Sequence, residues 1–206
     1  MKLELNKQYG PALVNLLRQA SMLSVPVIKP IAFAVGPDSN VVDTCSSVIE
    51  DMTVFIHNVM SKTYYTDNPD DKIDMPILVA LTVQENLKTS DFAQFGINCK
   101  DDAIVLHALS SVNVKMYFRN SCGKYTAKQN IEFLQNAGVN TNDLVVVPSR
   151  HCAVNSFILN PTENEDKFIC DIAIESDIMS EETILRHALK TVENGVAKLS
   201  NFILNS

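Results

Sequence analysis

No uninterrupted apolar run in this chain approaches the roughly 18 residues that span a membrane, and no apolar segment follows the lysine of its opening MKLELNKQYG. The first absence excludes a transmembrane helix; the second leaves no sign of a secretory leader. The five cysteines, Cys45, Cys99, Cys122, Cys152 and Cys170, are odd in number and form no C-x-x-C pair. That excludes a disulfide framework and a zinc knuckle, and implies reduced thiols in a chain that stays in the compartment where it is made. Basic residues are also short, 17 against 24 acidic ones, for a net charge of −7. The chain therefore has no overall positive surplus to neutralise a phosphate backbone, and direct DNA binding is not expected.

What is present suits a folded water-soluble protein: 206 residues, 46% apolar and 20% charged. Residues 11–23 open with Pro11 and place Leu13, Leu16, Leu17 and Ala20 on one stripe at helical spacing. Residues 27–35 alternate Ile31, Phe33 and Val35 with alanines, the pattern of a strand, and Gly36–Asn40 reads as a turn. Cys45, Val48, Ile49, Met52, Phe55, Ile56, Val59 and Met60 follow a 3-4 spacing that predicts a helix over 45–60. A polar, turn-rich stretch at 63–76 marks a place to leave one module for another.

Beyond it, residues 77–83 and 114–118 read as strands, and 101–111 and 127–138 as helices, with Gly138 at a helix end. Residues 144–147 and 152–159 read as strands, the latter forming a hairpin with 167–175 across the acidic turn 161–166. Ser180 can cap a last helix bearing Glu181 and Glu182 in its first turn, with Leu185, Ala188, Val192, Leu199 and Ile203 along one side. The expected class is α+β.

Motifs for catalysis are missing. His57, His107, His151 and His187 show no metal-binding spacing, and the turns at Gly36 and Gly123 match no nucleotide cradle, so neither a metal nor a cofactor is expected. His151 next to Cys152 suggests a nucleophile and its base, but neighbours on a strand point to opposite faces. Asp70-Asp71 and Asp101-Asp102 sit beside lysine in polar surroundings, as in solvated loops.

Residues 9–26, YGPALVNLLRQASMLSVP, resemble the first helix of the RNA polymerase α subunit: Tyr9, Gly10, Leu13, Asn15, Leu17, Arg18, Ser24 and Pro26 match its pattern. In the same ungapped register, Val48, Glu50, Asp51 and Asn58 match the family's Val-x-Glu-Asp segment and the helix after it. Residues 119–131, 147–159 and 165–204 are similar to later segments of the family, whereas 63–143 is matched poorly.

The resemblance implies a dimerisation module from both chain ends, 1–62 plus 144–206, in which two long amphipathic helices lie on an antiparallel sheet, interrupted by a β-rich insertion at 63–143. It implies a non-catalytic assembly subunit that pairs with a second α-like chain, identical or not, and on which β- and β′-type subunits dock. Leu13, Leu16, Leu17, Ala20, Leu199 and Ile203 would be dimer contacts; Arg18, Gln19, Glu50 and Asp51 would meet the large subunits. Val14 stands where the family has glycine, Gln19 where it has a second arginine, and no DNA-binding region follows the last helix. A divergent bacterial, viral or phage-encoded enzyme in the cytoplasm, or a plastid one in the stroma, is the implied setting. The alternatives are a stand-alone cysteine-dependent hydrolase using Cys152 with His151 or a distant histidine, and an α-mimic that inhibits a host polymerase.

Overall fold

The computed structural model describes residues 2–23, 25–36, 45–68, 74–163 and 167–204, without the side chains of 163, 199 and 202–204. The elements run β1 (Lys2–Asn6), α1 (Gly10–Leu23), β2 (Val27–Val35), α2 (Met52–Met60), β3 (Tyr64–Tyr65), β4 (Pro76–Val83) and β5 (Asn86–Lys88). A 3-10 helix (Thr89–Phe95) follows, then β6 (Asn98–Cys99), β7 (Ile104–His107), β8 (Val112–Ser121), β9 (Gly123–Tyr125) and α3 (Ala127–Asn136). The chain closes with β10 (Val145–Val146), β11 (Ser149–His151), β12 (Ser156–Glu163), β13 (Lys167–Glu175) and α4 (Glu181–Leu204). The architecture is α+β with antiparallel sheets.

The chain divides into two compact units, a terminal one of Met1–Val25 with Cys152–Ser206 and a central one of Pro26–His151. In the terminal unit, β13 is the middle strand of a three-stranded sheet, flanked by β1 and β12. Val14 and Leu17 of α1 and Leu185 and Ala188 of α4 pack on Cys170 and Ile172 of β13, the apolar stripe of each helix meeting the apolar face of the strand. Gly10 starts α1 because its backbone touches Phe168: a Cβ there would lie 2.6 Å from the Phe168 ring.

The central unit is built on the sheet β10-β2-β8-β4. Phe33, Val79, Met116 and Phe118 reach from it into a core with Phe55, Tyr64 and Phe92, while Ile31 and Ala32 pack with Leu134 of α3 in a second cluster. The expected module boundaries at 62/63 and 143/144 therefore do not coincide with the observed division. Strand β2 and helix α2 belong to the centre, because β2 is hydrogen-bonded inside the four-stranded sheet and Phe33 meets Phe55 edge-on at 5.7 Å.

Two expected helices need correction. The helix expected over 45–60 begins at Met52, because Asp51 accepts a hydrogen bond from Val54 N at 2.8 Å and caps it there. Upstream of the cap, Val48 instead bridges Ala108 in extended pairing. Residues 101–111 hold β7, with Leu106 opposite Leu87 of β5; both leucines are fully buried, and cross-strand burial overrides the helical spacing. The strand expected over 152–159 is also displaced, to 149–151 and 156–163. Parts of the turns expected at 36–40, 63–76 and 161–166, and the pair Asp70-Asp71, lie outside the described residues.

Candidate functional site: an apolar groove and a buried polar network

Helix α1 runs for 14 residues and α4 for 24, about 21 and 36 Å at 1.5 Å per residue. Each buries one stripe, and each carries more apolar residues than that stripe uses. Leu13 and Leu16 of α1 are 48% and 43% exposed; Leu189 and Val196 of α4 are 51% and 60% exposed. With Leu3 and Leu5 of β1, Leu13, Leu16 and Leu189 line an open groove of about 570 Å³ between the two helices. Glu181, Glu182 and Arg186 stand at its margin, where Arg186 Nη2 donates to Glu182 Oε1 at 2.8 Å.

Of the expected dimer contacts, Leu13 and Leu16 face this groove, Leu17 lines its floor from within the core, and Ala20 is half-buried against the same core. Leu199 and Ile203 fall on the last turns of α4, with side chains outside the described residues. Leu189 was legible as the i+4 neighbour of Leu185, yet the expectation omitted it. Val14, 2% exposed, packs with Leu17, Cys170 and Ile172 and lines the floor of the same groove.

Arg18 and Gln19 are exposed on α1, and Arg18 Nη2 donates to Asn15 Oδ1 at 3.0 Å. Glu50 and Asp51 belong to the central unit and already have work within it. Glu50 Oε2 accepts from His107 N at 2.8 Å and its Oε1 pairs with His107 Nδ1. Burial pushes the Glu50 carboxyl upward, but the hydrogen bonds from His107 outweigh it and leave the pKa below the usual value.

The central unit also holds a polar network that no sequence motif announced. Arg119 is 7% exposed, its guanidinium 3.7 Å from the centre of the Tyr125 ring and 4.1 Å from that of Phe133. It donates through Nε and Nη2 to Asp74 Oδ1 at 3.2 and 2.8 Å, and Ser121 Oγ donates to the same oxygen at 2.7 Å. Burial raises the Asp74 pKa, yet these partners win and hold the carboxyl below its ordinary range.

His151 completes the network. Its Nδ1 lies 2.6 Å from the Val27 carbonyl, which can only accept, so Nδ1 carries the proton and Nε2 accepts from Ser149 Oγ at 2.9 Å. Asn130 Nδ2 then donates to Ser149 Oγ at 3.2 Å and to the Val147 carbonyl at 2.8 Å. Burial, with smaller contributions from Arg119 and Lys29, pushes the imidazole down to about 4. Both nitrogens of His151 are thus committed, and Cys152 Sγ contacts the Val154 carbonyl at 3.3 Å. His151 therefore is not set to act as a base for Cys152.

Among the described residues no group of three or more His, Cys, Asp or Glu side chains is arranged to hold a metal ion. No helix among them is long and apolar enough to cross a membrane. No protein-family model matches the chain, and no curated protein matches it.

Proposed function

We propose that this chain is an α-like assembly subunit of a multisubunit DNA-directed RNA polymerase. It pairs with a second α-like chain through the groove between α1 and α4, and the pair is the platform on which β- and β′-type subunits dock. The observation that carries the reading is the groove itself: both chain ends build one unit whose helices leave Leu13, Leu16 and Leu189 in solvent. Contiguous apolar surface of this kind marks a protein contact. The resemblance of residues 9–26 and 48–59 to the α family gives that contact its partner.

In this reading the chain contributes no catalytic residue. Arg18 and Gln19, exposed on α1, are better placed to meet a large subunit than Glu50, whose two oxygens are held by His107, or Asp51, which caps α2. With a net charge of −7 the chain leaves DNA contacts to the large subunits. The test is affinity purification of the tagged chain from its source, followed by mass identification of the co-purifying proteins. Two large polymerase subunits are the expected companions; their absence would sink the proposal.

A further inference from the structure

Strand β4 (Pro76–Val83) is the last strand of the central sheet, and among the described residues no other backbone hydrogen bond reaches residues 76–83. The ladder fixes which of its peptide groups are free. Gly36 N donates to the Asn113 carbonyl on the β2 side of β8, and Asp74 N donates to the Asn120 carbonyl on the β4 side, both at 2.9 Å. Peptide groups of a strand alternate sides, so Val112, Val114 and Met116 turn theirs toward β4. Their partners in register are Val83, Leu81 and Val79. The N–H and C=O groups of Leu78, Ala80 and Thr82 therefore point outward along the open edge.

Such an edge is a template for another strand, and proteins normally blunt it with lysine, a bulge or an internal proline. None is present here: the β4–β8 register is continuous, Pro76 stands at the first position, and residues 75–84 carry no charge. The run ILVALTV has the composition of a segment that aggregates when left uncovered.

We propose that this edge pairs antiparallel with β4 of a second copy of the chain, about a two-fold axis through Ala80. Two features select a copy over a foreign strand. The free groups are symmetric about Ala80, so Leu78 exchanges both hydrogen bonds with the partner's Thr82 and Ala80 does so with the partner's Ala80; a methyl is the only side chain at the axis. The segment is neutral in a protein of net charge −7, so it gives two otherwise repelling copies a place to meet. This surface belongs to the central unit and the α1–α4 groove to the terminal one, so the inference does not rest on the polymerase reading.

The test is sedimentation velocity of the full chain over a range of concentrations, in a Leu16→Glu background that silences the groove. A concentration-dependent dimer is expected. Ala80→Lys and Ala80→Glu each put like charges face to face at the axis and should weaken it at least tenfold, while an equimolar mixture of the two restores it. The exposed side chain leaves the fold intact, and the mixture separates a lost contact from a lost fold. Hydrogen exchange at Leu78, Ala80 and Thr82 should slow as the dimer forms. A Leu16→Glu chain that stays monomeric at every concentration overturns the proposal, as does a dimer indifferent to Ala80→Lys or a mixture that fails to restore it. So does slowing of those amides only when a foreign protein is added. Association lost with Leu16→Glu but kept with Ala80→Lys overturns the edge pairing and leaves the groove standing.

Discussion

The two units of this chain solve the problem of burying apolar surface differently. The central unit has a deep core in which Tyr64, Phe92 and Phe118 meet ring against ring, with centroids 5.2 to 5.9 Å apart, and a saturated polar network beside it. In the terminal unit, Val14, Leu17, Cys170, Ile172, Leu185 and Ala188 form a smaller cluster, and leucines of both helices lie in water. Both units leave some apolar side chains in water, Ile49, Met75 and Leu78 among those of the central one; in the terminal unit Leu13, Leu16 and Leu189 of its two helices converge on one groove. Converging apolar side chains mark where a helix-packing partner is to be sought.

The largest expected effect comes from emptying the better core. Phe92→Ala removes a fully buried ring between Tyr64 and Phe118, and should destabilise the central unit by about 3–5 kcal/mol in urea unfolding. A transition that barely moves would mean that this core is looser than its ring packing implies.

Next is acid. His151 is neutral in the folded chain with its pKa near 4, whereas in the unfolded chain it titrates near about 6.5. Between those values the unfolded state binds more protons, so stability falls as pH drops from about 6.5 to about 4, by about 3 kcal/mol in all, and the loss levels off below. Asp74, whose folded pKa is lowered, acts in the same direction at still lower pH. Unfolding of the parent and His151→Gln as a function of pH should show the slope between 4 and 6.5 flattened in the variant.

In the terminal unit, Gly10→Ala drives a methyl into the Phe168 ring and should cost about 1–3 kcal/mol. Thermal unfolding of that variant against Gly195→Ala, where a Cβ meets nothing, separates close packing from the ordinary gain of replacing a helical glycine. The smallest effect on folding is expected at the groove: Leu16→Glu should change stability by less than about 0.5 kcal/mol while weakening association. Equal loss of fold and association would make Leu16 a core residue.

Periodicity located α1, β8, α3, the β12–β13 hairpin and α4, because each carries a repeated apolar face; β2 was located too, but a bulge between Pro30 and Ala32 sends Ile31 into one cluster and Phe33 and Val35 into the other. Periodicity misread 101–111, since a short apolar run such as Ile104–Leu106 carries no period of its own and only the pairing with β5 decides. It overextended α2, since the capping oxygen of Asp51 interrupts a spacing that continues through it. The groove was half legible, through Leu13 and Leu16. The network around Arg119 was not, because Asp74, Asn130, Ser149 and His151 come together only through folding and share no local pattern.

The proposed function makes this chain a subunit that a polymerase needs in order to assemble. The most direct measurement is transcription by an enzyme reconstituted from separately purified subunits, with the chain included, omitted, or replaced by Leu16→Glu. The account predicts RNA product only with the parent chain, and little with the folded Leu16→Glu variant. Full activity without the chain, or activity depressed by adding it, would contradict the account.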